Sequence, residues 1–320
     1  MSQPTQSAVH AVDVPLTNVS VAYLQSDTHF VARQVFPMVP VEKQTDRYYI
    51  YDLEDFNRDE AKVRADATES AGSGYGLSTA QYSCDVFALH KDIGSQVRAN
   101  ADAAINPDRD ATLWLTQRML IRLEKQWATD YFTTSVWGTD STPTNLWSDY
   151  TASDPVEDVE TGKATILTAT GQMPNTLVLG YHTYRRLRNH PDVIERIKYT
   201  QFAGTRTITP SLLAAVFDVE RVLVSMATND TAVENETASM ALLFGKHALL
   251  CHSASSPGLL TPSAGYVFSW RGVSQGMGSD VAIKRFYMQE KDADRVEAQM
   301  AFDCKVVSSS LGYFFASVVS

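Results

Sequence analysis

Few residues in this 320-residue sequence have the type and spacing that chemistry requires. The three cysteines, Cys84, Cys251 and Cys304, are far apart and form no CxxC or Cys/His metal spacing. They read as reduced, buried thiols rather than as ligands or nucleophiles. Of the histidines, His90, His182, His190, His247 and His252 could meet only through the fold, and structural roles are the simpler reading. Gly72-Ser73-Gly74-Tyr75-Gly76 has the look of a phosphate-binding turn. It lacks the GxGxxG spacing and no helical pattern follows it, so a flexible hairpin tip is expected. No Walker lysine motif, HExxH or GxSxG occurs. Carboxylates are plentiful, but no spacing singles out an acid–base pair. The expectation is no catalytic residue, no metal and no cofactor.

Two charged clusters remain. Arg58, Asp59, Glu60, Lys62, Arg64 and Asp66 lie in the polar segment Asn57–Gly76, which cannot build a core of its own. They are candidate contacts to a neighbouring subunit. Arg185, Arg186 and Arg188 form the densest basic cluster. They read as a solvated helix face or as a contact to an acidic neighbouring subunit or to phosphate. A formal net charge of −10 places a protein partner ahead of DNA and disfavours autonomous nucleic-acid binding. With 44% hydrophobic and 20% charged residues the chain has an ordinary globular composition. No signal peptide and no run of about 20 apolar residues is present, so folding in cytoplasm is expected, with no membrane partner.

The elements that must position these clusters read in five parts. Residues 1–42 form an arm, irregular because Pro15, Pro37 and Pro40 interrupt it, with a short helix possible over 17–34. Such an arm lies either on its own body or on a neighbour. Residues 43–94 form a long hairpin, with Tyr48–Tyr51 in one strand and Tyr82, Val86, Phe87 and Leu89 in the other. Residues 95–136 hold a long amphipathic helix, Pro107–Phe132. Asn106 caps it, Asp108 and Asp110 suit its N-terminal dipole, and Leu113, Leu120, Leu123, Trp127 and Tyr131 share one face. At 1.5 Å per residue it would be roughly 39 Å long. Residues 137–280 alternate strands (Thr176–Leu179, Arg221–Met226, His247–His252) with helices (His182–Arg188, Asp192–Tyr199, Ser211–Phe217), and 138–154 is a loop. Residues 281–320 read as strands Val281–Met288, Val296–Val307 and Leu311–Val319. With the long helix they are expected to form one layered unit, on which Leu120, Leu123 and Trp127 pack.

This order of parts resembles the major capsid proteins of tailed double-stranded DNA phages, the Hong Kong 97-type fold. Particular phrases carry the resemblance. ALHKDIGSQVRANADAAINPDRDAT (Ala88–Thr112) and LIRLEKQWATDYF (Leu120–Phe132) look like the hairpin exit and spine helix of one subgroup. NTLVLGYHTYRRLRNHPDVIERIKYT (Asn175–Thr200) and ITPSLLAAVFDVERVLV (Ile208–Val224) look like its axial domain, and PGLLTPSAGYVFSWR (Pro257–Arg271) also fits. The resemblance implies an α+β subunit with an N-terminal arm, an extended loop, and a peripheral domain built from the spine helix and terminal strands. An axial domain would cover 137–280. Copies would form hexamers and pentamers of an icosahedral shell around packaged DNA, assembled in the host cytoplasm and ending in the virion. Implied partners are the chain itself, a portal, non-specifically contacted DNA and a cement or decoration protein. With only about 40 residues before the hairpin, a separate scaffolding protein is expected. Some members crosslink a loop lysine to an asparagine in the C-terminal part of the peripheral domain. Lys62 could be that amine, but the last asparagine here is Asn235, and Asn100 and Asn106 lie elsewhere, so no crosslink is expected. An encapsulin-type compartment shell is the alternative reading, and an enzyme of unknown type a more distant one.

Overall fold

The computed structural model describes residues 25–100, 106–198, 208–258, 260–274 and 281–320. In chain order the α-helices are α1 (Ala32–Val35), α2 (Leu53–Asn57), α3 (Ser95–Ala99), α4 (Pro107–Tyr131), α5 (Pro155–Thr170), α6 (Tyr181–Leu187), α7 (Pro191–Lys198), α8 (Pro210–Phe217) and α9 (Arg271–Ser274). The strands are β1 (Met38–Val41), β2 (Thr45–Tyr51), β3 (Leu77–Ser83), β4 (Asp85–Gly94), β5 (Thr139–Ser141), β6 (Thr176–Gly180), β7 (Arg221–Ser225), β8 (Thr228–Asp230), β9 (Met240–Leu242), β10 (Ala248–Cys251), β11 (Gly265–Trp270), β12 (Ala282–Met288), β13 (Ala293–Val306) and β14 (Gly312–Phe315).

The chain divides into two compact units. The smaller contains Val86–Leu120 and Val273–Met300. In it β12 pairs antiparallel with the first half of β13, from Ala282↔Gln299 to Met288↔Ala293. Val296, Ala298 and Met300 alternate inward along β13, as a half-buried strand requires. The early turns of α4 supply Ala111, Leu115 and Met119 to this unit's core. The helix starts where the sequence places it: Asn106 Oδ1 accepts from the Arg109 amide at 3.1 Å, and Pro107 takes the first position.

The larger unit contains Asp27–Asp85, Ile121–Gly272 and Ala301–Ser320. Its central sheet runs β5-β14-β10-β6-β7. Strand β6 lies parallel to β7 and antiparallel to β10, and every residue of β6 is buried. Helices α5, α6 and α8 bury Val156, Val159, Ile166, Leu187, Leu213 and Phe217 in one core with Leu177, Leu179, Leu250 and Phe315. Such burial, at ~25 cal/mol per Å² of apolar surface, is the main stabilising term. Helix α5 is absent from the sequence reading although its signals are present. Asp154 Oδ1 caps the Val156 and Glu157 amides at 3.0 and 3.1 Å, Pro155 opens the helix, and Gly171 closes it at φ 69°.

Three expectations need correction. Leu113 is 43% exposed and does not share the buried face of α4. Residues 82–89 are not one strand: β3 ends at Ser83, and β4 pairs with β13 instead. Finally, β14 pairs with β10 and β5, not with β13, so the terminal strands do not form a single layer. Local β-propensity identifies a strand but carries no information on its partner.

Candidate functional site

The described residues offer two kinds of site: exposed surfaces that could meet another molecule, and a buried clasp that fixes where the chain enters the fold.

The surface set lies on the hairpin. Strands β2 and β3 pair from Thr45↔Ser83 to Tyr51↔Leu77. At its base Tyr82 stacks on Phe268 of β11 with centroids 4.6 Å apart, and Tyr48 lies 5.3 Å from the same ring. At its far end α2 and the segment 58–76 follow, and every residue from 61 to 75 is exposed. Asp59, Lys62, Arg64 and Asp66 are exposed along it. Arg58 pairs with Glu60 at 3.1 Å and with Asp55 at 3.7 Å. The Ser73 hydroxyl and Arg58 hold the Glu60 carboxyl below its ordinary range. The Arg64 guanidinium donates to the Thr68 carbonyl. The tip also has an apolar feature that its charge obscured. Tyr51, Phe56 and Tyr75 form a ring cluster with centroids 5.7–6.1 Å apart, and Phe56 and Tyr75 are 56% and 67% exposed.

Arg185, Arg186 and Arg188 lie on and just beyond the last turn of α6, remote in sequence from the hairpin. Arg185 is exposed, and the Arg188 guanidinium lies 5.8 Å from the Tyr184 ring centre.

The clasp was not foreseen. Helix α4 buries Leu120, Leu123, Trp127 and Ala128, and the same stripe includes Glu124, which has no exposed surface. The two Glu124 carboxylate oxygens accept from the Val31 and Ala32 amides, each at 2.9 Å. Val31 is the N-cap of α1 and offers no side-chain cap, so Glu124 caps that short helix from 93 residues away in sequence. The Ser225 hydroxyl adds a longer contact at 3.4 Å. Burial pushes the Glu124 carboxyl up to about 7, and the two amides pull against it. The spacing 120, 123, 124, 127, 128 is the signal that could have found Glu124 on the buried stripe.

Other contacts hold the same segment. Arg221 donates to the Gln34 carbonyl at 2.9 Å, and Ser253 Oγ donates to the Val35 carbonyl at 2.7 Å. Phe36 meets Trp127 edge to face at 5.4 Å. It lies over Gly265, where an added Cβ would come within 2.5 Å of the ring. Trp127 is fully buried, and its ring packs on Phe36 and Phe244. The end of α4 reaches the terminal strands through Tyr131 Oη to the Cys304 carbonyl and Phe132 to Phe314. Residues 27–42, read as part of an arm, therefore lie on their own unit; residues 1–24 are outside the described residues.

One constellation has the composition of a hydrolytic triad. Ser153 Oγ lies 3.0 Å from His190 Nε2, and His190 Nδ1 lies 3.5 Å from Asp192 Oδ2. The serine proton is turned away from the ring. Ser153 donates it to the Asp149 carbonyl at 2.6 Å, not to Nε2. His190 is fully buried, and burial lowers its pKa against the opposing pull of Asp192 and Asp154. The cysteines are buried and unpaired. Burial pushes Cys84 and Cys251 up to about 12 and Cys304 higher still, so none is poised as a thiolate. Among the described residues no group of His, Cys, Asp and Glu is arranged to hold a metal, and no helix is long and apolar enough to cross a membrane.

This architecture, with an extended hairpin, a long spine helix and a mixed α/β unit, is the Hong Kong 97-type capsid fold. A crystal structure of a phage-related protein from Bordetella bronchiseptica matches it with a TM-score of 0.68 at 20% identity, over 92% of this chain and 94% of that one. The capsid of cyanophage P-SCSP1u matches with a TM-score of 0.59 at 10% identity, over 97% and 94%. An encapsulin complex from Synechococcus elongatus also matches with a TM-score of 0.59 at 10% identity, over 100% and 98%. In sequence the chain is 29% identical over 228 residues to the major capsid protein of Burkholderia phage BcepMu, spanning 69% of this chain and 71% of that protein. It is 26% identical over 252 residues to the major capsid protein of Pseudomonas phage JBD67, spanning 76% and 77%. No family model matches. The chain thus has the Hong Kong 97-type capsid fold, and its named sequence relatives are phage major capsid proteins.

Proposed function

We propose that this chain is the major capsid protein of a tailed phage, and that copies of it close into hexamers and pentamers of an icosahedral shell around double-stranded DNA. The sequence relatives support the phage reading, since they are phage capsid proteins and not compartment shells. The observation that carries the assembly reading is the hairpin. It exposes every residue from 61 to 75 and presents Phe56 and Tyr75 to solvent, at a cost that contact with a second copy would offset. Residues 1–42 would serve as the arm, 43–94 as the extended loop, 95–136 and 281–320 as the peripheral domain and 137–280 as the axial domain. Arg58, Asp59, Glu60, Lys62, Arg64 and Asp66 would be subunit contacts on the loop, and Arg185, Arg186 and Arg188 on the axial domain. A separate scaffolding protein, a portal and a cement protein would complete the particle in the host cytoplasm. The work is done by many modest contacts per subunit, which multivalent closure makes collectively hard to undo.

Deleting residues 57–76 tests this directly. The variant should remain a soluble, folded subunit and form no shells by electron microscopy; shells of normal size from it would overturn the reading. The encapsulin match keeps a second reading in view. Particles purified from infected or induced cells decide between the two, since packaged DNA belongs to a phage head and a protein cargo to a compartment.

A further inference from the structure

In the smaller unit Arg98, Arg285, Lys291 and Arg295 are paired with carboxylates. Arg98 meets Asp108 at 2.8 Å and also Asp294, and Arg285 meets Asp108 at 3.8 Å. Lys291 and Arg295 share Asp92 at 3.0 and 2.7 Å, and Arg295 above all holds that carboxyl well below its usual range. Four others, Lys91, Arg109, Arg118 and Lys284, have no ion pair among the described residues, and of these Lys91 and Arg118 stand together against one aromatic ring. Neither has a carboxylate partner among the described residues. Both instead lie over the indole of Trp114, with Lys91 Nζ 5.8 Å and Arg118 Cζ 4.8 Å from the ring centre. Lys91 and Arg118 are exposed and Trp114 is 38% exposed. From Ala111 to Leu123 the helix sequence has no carboxylate. Asp110, one turn before Trp114, makes no ion pair with either cation, and Asp92 is already committed.

We propose that Lys91, Trp114 and Arg118 form a contact surface for the phosphate backbone of duplex DNA. The inference rests on the shell reading above and deepens it by assigning the residues that would touch the enclosed nucleic acid. A cation stacked on an aromatic ring keeps its charge and its N–H donors, because the ring face offers no lone pair to satisfy them. The ring also holds the two long side chains in place, so less side-chain entropy is lost when an anion arrives. Two ordered, unneutralised cations on an otherwise acidic chain suit a weak, sequence-independent contact. Repulsion elsewhere on the surface keeps that contact reversible while the DNA moves.

The test uses the full chain and a fluorescein-labelled mixed-sequence duplex of about 20 bp, with binding read by anisotropy across a NaCl series. Lys91→Ala/Arg118→Ala should weaken binding at least ~10-fold at low salt, and two lost phosphate contacts should shrink the slope of log K against log salt by about 1.8. Lys125→Ala/Lys246→Ala removes the same net charge from exposed positions that carry no contact role and should leave affinity unchanged. A thermal melt reports folding, and Lys91→Gln/Arg118→Gln replaces the alanine pair if that pair fails to fold. Wild-type affinity in the Lys91/Arg118 variants would overturn the proposal. So would equal loss in the Lys125/Lys246 control, which would reduce the effect to net charge, or polyglutamate competing as well as unlabelled duplex at equal charge, which would make an acidic protein the partner. Assembly is scored separately by electron microscopy. Wild-type shells combined with unaltered affinity in the variants sink this inference alone, whereas failure of the wild-type chain to form shells sinks the shell reading.

Discussion

The segment Phe30–Phe36 and the segment 61–75 belong to the same compact unit and are opposites in burial. Val31, Ala32, Val35 and Phe36 are at most 1% exposed, gripped by Glu124, Trp127, Arg221 and Ser253. From 61 to 75 nothing is buried, and beyond the ring cluster the side chains mostly meet their own near neighbours. Both segments leave regular structure, and both carry polar and apolar residues. What separates them is whether other elements of the same unit supply partners for the backbone. In the first, a carboxylate and a guanidinium from distant positions take up the orphan amides and carbonyls of a four-residue helix. In the second no such groups arrive, so the segment is available to something else. The first should therefore govern subunit stability, and the second assembly.

The largest effect should come from Trp127. Trp127→Ala removes a fully buried indole from between Phe36 and Phe244 and should cost roughly 3–5 kcal/mol in a denaturant titration of the subunit. A loss below about 1 kcal/mol would break the comparison. Trp127→Phe sharpens it. The indole Nε1 has no hydrogen-bond partner, so the phenyl ring also removes an unsatisfied buried donor, and the net cost should fall to about 1 kcal/mol.

Glu124 should come next and should show itself as a pH dependence. Its folded pKa of about 7 is raised above an ordinary value of 4.5. Its contribution is then fully present below about pH 4.5 and is lost as pH rises through 7, a change of about 3–4 kcal/mol at ~1.4 kcal/mol per pH unit. Glu124→Gln keeps one acceptor for the two amides and cannot ionise. Its stability deficit against wild type should be largest near pH 5 and shrink towards pH 8. His190 and His247, whose pKa values burial lowers, titrate with the opposite sign in an overlapping range, but they cancel in that difference. A deficit that stays flat with pH would mean that Glu124 does not carry the charge change.

The smallest effect should come from the hairpin. Lys62→Ala should change subunit stability by less than about 0.5 kcal/mol, because the side chain is exposed and packs on nothing. It should also leave the covalent state of the shell unaltered. Mature particles boiled in denaturing detergent should run as one band near 35.4 kDa, since residues 236–320 contain no asparagine to accept a lysine. A ladder of oligomers that Lys62→Ala abolishes would make the hairpin a covalent partner rather than a reversible one.

Much of this protein was legible because its signals are local. Asn106-Pro107 and Thr209-Pro210 open helices where sequence rules place them, and Tyr48–Tyr51 and Thr176–Leu179 are strands because β-branched, aromatic and apolar residues fit a pleated surface. The exposure of Asp59, Lys62, Arg64 and Asp66 followed from their charge and from the lack of apolar neighbours able to bury them. What a residue touches across the fold was not legible. Nothing near Val31 announces that its amide will be capped by Glu124, nothing in the strand Gly312–Phe315 selects Ala248–Cys251 as its partner, and Trp127 could not reveal Phe244. Propensity and capping act over a few residues, so the sequence by itself determined the elements and the exposed tip. Pairing and burial depend on which surfaces meet, and groups 60 to more than 100 residues apart become neighbours only when the chain is folded. For that reason the tertiary structure alone decided which segment became a buried clasp and which was left for another copy.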